Sequence, residues 1–214
     1  MRSLHQLFLD SITEQRSFAG SGRGIVAGPA TARLLAAQTE FESDVDVLNY
    51  ALTLEHLEAA FYELVPEYEF EEDGFGNSIA DNLTTIGEHE NAHVEALTAV
   101  ITDLGGEPVE RLEYDFGVTD TQSFLATAAI LENTGVSAYD GAAAAIEDPA
   151  LLTAAGEIVA VEARHAAYLN LITGEIPFPS ALETPLTPDE VLEAAGGFIV
   201  SEDAPEEDEA TPAN

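Results

Sequence analysis

The chain has 214 residues, of which 41 are Asp or Glu and only 6 are Lys or Arg, so its formal net charge is −35. This charge excludes nucleic acid and anionic membranes as partners, because both carry the same sign. It is typical of proteins from salt-adapted organisms such as halophilic archaea, since concentrated salt screens the repulsion among surface carboxylates. The absence of cysteine excludes disulfides and thiolate metal sites.

The two ends of the chain differ from its middle. Residues 1–43 contain a Gly- and Ser-rich stretch without a sustained hydrophobic period, and we predict a loosely ordered N-terminal extension. Residues 201–214 are predicted to form an acidic disordered tail. The stretch Arg16-Ser17-Phe18 resembles part of a twin-arginine export signal, but Gln15 stands where the second arginine is needed. We therefore expect a cytoplasmic protein, with export as the alternative.

Hydrophobic periodicity predicts four long helices, followed by a short helix that begins at Thr187. The long helices cover about Asp44–Val65, Ile79–Leu104, Thr121–Ile146 and Asp148–Ile172. The link between the second and third helices has roughly 16 residues and can span about 50 Å when extended. This exceeds the length of about 39 Å for a 26-residue helix, so the link can cross the whole bundle. We predict an all-α domain over residues 44–200, in which two antiparallel hairpins are joined by a long crossover.

Each long helix carries a glutamate near the middle of its apolar stripe: Glu55, Glu90, Glu132 and Glu162. The second and fourth helices also carry a histidine three residues later, His93 and His165, on the same face. Four buried carboxylates would repel one another strongly, whereas two divalent cations would neutralise them. Carboxylate and imidazole ligands suit iron, manganese or zinc. The pattern predicts a two-metal site, and the alternative is a buried polar network without metal.

The two halves of this pattern repeat. Tyr62 follows Glu55 by seven residues, and Tyr139 follows Glu132 by the same distance. Glu58 shares part of the face of Glu55 and stays open as the ligand of the first helix, although the repeat favours Glu55. The two tyrosines are core aromatics at least, and the sharper hypothesis gives them a catalytic role through a hydrogen bond to the site or a radical. His56 and His89 lie off the stripes and are interpreted as surface residues or as supports of the ligands.

The order Glu, Glu-x-x-His, Glu, Glu-x-x-His resembles the di-iron carboxylate proteins of the ferritin-like superfamily. The segments Leu48–Tyr62 and Leu186–Leu192 are most similar to a branch that includes desiccation-related proteins. The resemblance implies a ferritin-like four-helix bundle that holds two Fe ions, with two Mn ions as the alternative. It also implies the metal ligands, which are Glu55, Glu90, His93, Glu132, Glu162 and His165.

These observations lead us to expect an oxidoreductase that acts on Fe(II), dioxygen or peroxide. The alternative is a non-catalytic protein that protects against stress or desiccation and uses the metal as a structural staple. The lack of cysteine excludes a built-in electron-transfer iron centre, and haem held between methionines is excluded because Met1 is the only methionine. Any electron donor is therefore external, and homo-oligomer formation is left open.

Overall fold

The computed structural model describes residues 41–200, which form an all-α domain. Its helices are α1 (Asp44–Tyr62), α2 (Ile79–Asp103), α3 (Thr121–Ala142), α4 (Pro149–Thr173) and α5 (Pro188–Ala195). Extended pairing within these residues is limited to two isolated bridges. The predicted all-α bundle with a short final helix is therefore confirmed. Residues 1–40, most of the predicted extension, and the predicted tail at 201–214 lie outside the described residues. In residues 41–200, no helix has the length and apolar character needed to cross a membrane.

Two helices end earlier than the sequence analysis predicts. Helix α1 stops at Tyr62 and is followed by a 3₁₀ turn, Val65–Glu67, that contains Pro66. Proline has no backbone N–H and disfavours helical backbone in the residue before it, so the regular helix ends ahead of it. Helix α3 gives way to a 3₁₀ turn at Ala143–Ala145 shortly before α4 begins. The predicted end of α4 is confirmed to within one residue, and Gly174 closes it with a φ of 89°.

The link between α2 and α3 lies along α1. Near the start of α1, the side chain of Asn49 donates to the carbonyl oxygen of Glu107 and accepts from the backbone N–H of Val109. Near the end of α1, the Arg111 guanidinium pairs with the carboxylate of Glu63, with a distance of 2.8 Å between Nη2 and Oε2. The link thus follows the length of the helix, which places the start of α3 beside the end of α1. The predicted crossover is therefore present.

The apolar core has two ends separated by a layer of carboxylates. One end is rich in aromatic side chains and includes Phe61, Phe124 and Leu83, all fully buried. The other end includes Leu52 and Ile101, which are also fully buried. Along each long helix, the buried glutamate falls between residues that belong to these two ends. The fold therefore places four carboxylates at the centre of the bundle, away from bulk water.

Candidate metal centre

The four predicted glutamates meet at this central layer. Glu55 on α1, Glu90 on α2, Glu132 on α3 and Glu162 on α4 all have no solvent-exposed surface. His93 and His165 join them, with side chains that are 12% and 6% exposed. The structure thus brings together all six residues that the sequence pattern singled out as metal ligands.

These six residues form two overlapping groups of four. The first quartet is Glu55, Glu90, His93 and Glu162, and the second quartet is Glu90, Glu132, Glu162 and His165. In each quartet, one ligand atom per residue lies within 4.8 Å of the others. Glu90 and Glu162 belong to both groups and are called the shared carboxylates. Glu55 and Glu132 each belong to one group and are called the terminal carboxylates.

Each shared carboxylate directs one oxygen to each quartet. Oε2 of Glu90 lies 3.2 Å from Nδ1 of His93, while its Oε1 lies 3.0 Å from Nδ1 of His165. Oε1 of Glu162 lies 2.9 Å from Nδ1 of His93, while its Oε2 lies 3.5 Å from Nδ1 of His165. A carboxylate that bridges two metal ions through its two oxygens needs this split.

Several atoms at the centre are buried without a hydrogen bond in the described part of the chain. They are Oε1 of Glu90, Oε2 of Glu132, both carboxylate oxygens of Glu162, and Nδ1 of His165. Buried polar atoms in native proteins are nearly always satisfied, so orphaned atoms point to an ion or another missing partner. Four of the five face the second quartet, and Oε1 of Glu162 faces the first. Their contacts are short but lack hydrogen-bond angles. The donor set therefore fits a metal ion better than a closed polar network.

The two tyrosines hold the terminal carboxylates. The hydroxyl of Tyr62 donates to Oε1 of Glu132 over 2.6 Å, and that of Tyr139 donates to Oε1 of Glu55. Tyr62 on α1 donates to the glutamate of α3, and Tyr139 on α3 donates to the glutamate of α1. The two hydrogen bonds are therefore equivalent in the internal repeat. Oε2 of each terminal carboxylate is left facing the histidine of its own quartet. Burial, followed by the nearby carboxylates, raises the pKa of both phenols well above the usual value, so both stay protonated and donate.

Protonation of the histidines compensates part of the buried negative charge when no metal is bound. Burial disfavours the charged imidazole, but close contacts with the surrounding carboxylates prevail and raise the pKa of His93 and of His165 to about 12. Burial would also raise the pKa of Glu162, but the close contacts of its oxygens with the two imidazoles lower it to about 2. Burial raises the pKa of Glu55 to about 8, and that of Glu132 rises well above its usual value. The metal-free cluster thus holds two imidazolium cations and retains protons on some of its carboxyls.

Glu58 is buried beside the cluster but belongs to neither quartet. Its side chain is 3% exposed, and burial together with the charges of the four other glutamates raises its pKa well above the usual value. Gly135 makes room for it, since a Cβ at that position would lie 2.8 Å from Oε1 of Glu58. Of these two glutamates of α1, the structure therefore places Glu55, and not Glu58, in a quartet. The sequence carries a signal for this choice, because the position equivalent to Glu58 in the second repeat is Gly135, which has no side chain to bind a metal.

Two further histidines of the described residues and one amide pair belong to neither quartet. Nδ1 of His89 lies 2.9 Å from Nε2 of His165, so this exposed residue supports the site. His56 contacts the carbonyl oxygen of Val109 on the crossover and takes no part in the cluster. Asn133 and Asn170 exchange two hydrogen bonds between α3 and α4, of 2.9 and 3.1 Å. This pair was not predicted from the sequence, although Asn133 directly follows a predicted ligand.

Comparison with known proteins agrees with this architecture. A family model described as a ferritin-like domain matches residues 43–175. Among solved structures, a conserved hypothetical protein from Mycobacterium tuberculosis is similar with a TM-score of 0.52 at 16% identity. The match covers 71% of this chain and 99% of that one, and at such identity it supports the fold alone. No curated protein matches the chain. Because the family model spans more than half of the sequence, the chain belongs to the ferritin-like domain family.

Proposed function

We propose that the protein is an oxidoreductase of the di-iron carboxylate type that acts on Fe(II), dioxygen or hydrogen peroxide. In this proposal the two quartets would hold two iron ions, or two manganese ions, and Glu90 and Glu162 would supply one oxygen to each ion. The observation that carries the proposal is the split of Glu90 and Glu162, each with one oxygen directed to either quartet. Glutamate and imidazole donors suit both metals.

The charge of the cluster supports two cations and not one. Four buried carboxylates carry four negative charges when ionised, and two divalent ions would match them. Within residues 41–200 the basic side chains other than histidine are Arg111 and Arg164, and neither contacts the cluster. Arg111 pairs with Glu63 at the surface, and Arg164 is exposed on α4. When bound, a pair of redox-active ions would supply the one-electron steps that reduction of an oxidant requires.

The protein side chains orient the ligands and control access. Tyr62 and Tyr139 bind one oxygen of each terminal carboxylate and leave the other free for a metal, which is the contribution to catalysis that we propose for them. The glutamates are sealed from solvent, whereas His93 is partly exposed. A small oxidant would therefore approach beside His93. Because the chain has no cysteine, reducing equivalents would come from another molecule.

Oxidant turnover by the iron-loaded protein tests this function. Metal-free protein is loaded with Fe(II) under anaerobic conditions in concentrated KCl, because we propose that the charge of −35 is an adaptation to salt. Addition of hydrogen peroxide is expected to oxidise about two Fe(II) per peroxide, since its reduction to water takes two electrons and each Fe(II) gives one. The near-ultraviolet absorbance of Fe(III) reports the oxidation.

A Tyr139→Phe variant tests the role proposed for the tyrosine in the same assay. The substitution removes the hydrogen bond to Glu55 while keeping the aromatic ring. We expect the variant to bind iron but to oxidise it more slowly than the wild type does.

Wild-type protein that binds two ions but oxidises Fe(II) no faster than free iron in the same buffer would contradict the oxidoreductase proposal. That result would favour the non-catalytic alternative, in which the metal ions only stabilise the four-helix bundle.

A further inference from the structure

One contact breaks the symmetry between the two quartets. Nδ1 of His165 faces the carboxylates, and its other nitrogen, Nε2, lies 2.9 Å from Nδ1 of His89. The two rings are nearly parallel, with an interplanar angle of 15°. His89 immediately precedes the shared carboxylate Glu90 on α2, so it reaches across to α4 from a fixed position on the helix.

The hydrogen bond fixes which nitrogen of His165 is available to a metal. A neutral imidazole has one N–H donor and one acceptor nitrogen, and a metal takes the acceptor. When His89 accepts a hydrogen bond through Nδ1, the proton of neutral His165 must lie on Nε2. Nδ1 then presents its lone pair to the carboxylates of the second quartet. The same Nε2–H donates to His89 before metal binding, so the ring does not need to turn when a metal replaces the Nδ1 proton.

The first quartet has no equivalent support. In residues 41–200, His93 makes its hydrogen bonds through Nδ1, and none involves its Nε2. The residue at the position of His89 in the repeat is Val161, which precedes Glu162 and has no polar side-chain atom. The side chain of His93 is also the more exposed of the two, at 12% against 6%. The two quartets therefore contain equivalent residues, but among the described residues only His165 has a side-chain partner that orients its ring from the far side.

We infer that His89 is a positioning residue for His165 and makes the two metal positions unequal. The position in the second quartet binds its ion first and more tightly, whereas the ion in the first quartet is the one that exchanges with solvent. This inference rests on the proposed function, because it assigns different affinities to the two ions of that site. A hydrogen-bond partner of a metal-ligating histidine typically contributes about 10- to 100-fold in metal affinity.

Stepwise Co(II) binding tests the inference without relying on turnover. Metal-free protein is titrated anaerobically by calorimetry and visible absorption, and the wild type is expected to show two steps of different affinity. In His89→Ala the tighter step should weaken by about 10- to 100-fold while the weaker step stays in place. His89→Gln should recover part of the loss, because its side-chain oxygen can accept the same N–H. His56→Ala is the matched control and should change neither step, since His56 belongs to neither quartet and its hydrogen bond goes to Val109 on the crossover.

The outcomes separate the inference from the function on which it rests. Two unchanged steps in His89→Ala, or an equal weakening of both, would overturn the positioning role. The thermal stability of metal-free His89→Ala shows whether the substitution causes a general packing defect. If weaker metal binding came from such a defect, His89→Gln would show the same loss of stability, and this result would count against the inference. A wild-type protein that binds no Co(II) would overturn the proposed two-metal site, and this inference with it.

Discussion

Replacement of Glu90 by glutamine is expected to abolish binding at both metal positions. Glu90 directs one oxygen to each quartet, so in the proposed two-metal site a single change would remove a charged ligand from both ions. Loss of a hydrogen-bond partner of a ligand alone costs about 10- to 100-fold in affinity, and loss of the ligand itself should cost more at each position. Metal analysis of purified protein, together with calorimetric titration, measures the effect.

The matched control is Glu88→Gln, two residues earlier on the same helix and exposed to solvent. It should bind as much metal as the wild type. The metal-free Glu90→Gln protein should be at least as stable as metal-free wild type, because it no longer buries a carboxylate among three others. Addition of metal should raise the melting temperature of the wild type and of Glu88→Gln but not that of Glu90→Gln. Retention of one full equivalent of metal by Glu90→Gln would contradict the bridging role.

Metal binding is expected to release protons and to strengthen as pH rises. The pKa of His93 and of His165 is raised to about 12, so both imidazoles carry a proton at neutral pH that a metal must displace. The raised pKa of Glu55, about 8, adds a further carboxyl that is partly protonated there. Affinity for each ion should therefore fall by about tenfold or more for each unit decrease in pH across the neutral range.

A pH-indicator dye in weak buffer measures the release directly when Zn(II) is added to metal-free protein. At least two protons per chain are expected, one from each imidazolium. Glu88→Gln should release the same number, and Glu90→Gln should release few because it does not take up the metal. Uptake of two ions without proton release, or with an affinity that is independent of pH, would show that the histidines are neutral in the metal-free cluster.

Much of the fold and of the candidate site could be predicted because both rest on local spacing. The apolar stripes with a central glutamate mark the helices, and Glu-x-x-His sets two ligands on one helical face. The helix ends were less predictable. The pattern of α1 continues to Val65, and only the backbone restriction at Pro66 decides where its regular hydrogen bonds stop.

Other features depend on contacts between helices, which spacing along one helix does not contain. Glu55 and Glu58 share a face of α1, and the choice between them follows from the space that Gly135 leaves on α3. His89 lies off the stripe of α2, yet it meets His165 because α2 and α4 approach each other at that level. The crossed hydrogen bonds from Tyr62 and Tyr139 likewise need the relative register of α1 and α3.

Anomalous diffraction from crystals of metal-free protein soaked with Mn(II) is the most direct test of the two-metal site. Two peaks about 3.5–4 Å apart are expected at the centre of the bundle. One peak should lie among the residues of the first quartet and the other among those of the second, with Glu90 and Glu162 touching both. A single peak, or no peak at the carboxylate layer while the bundle remains intact, would contradict the two-metal site.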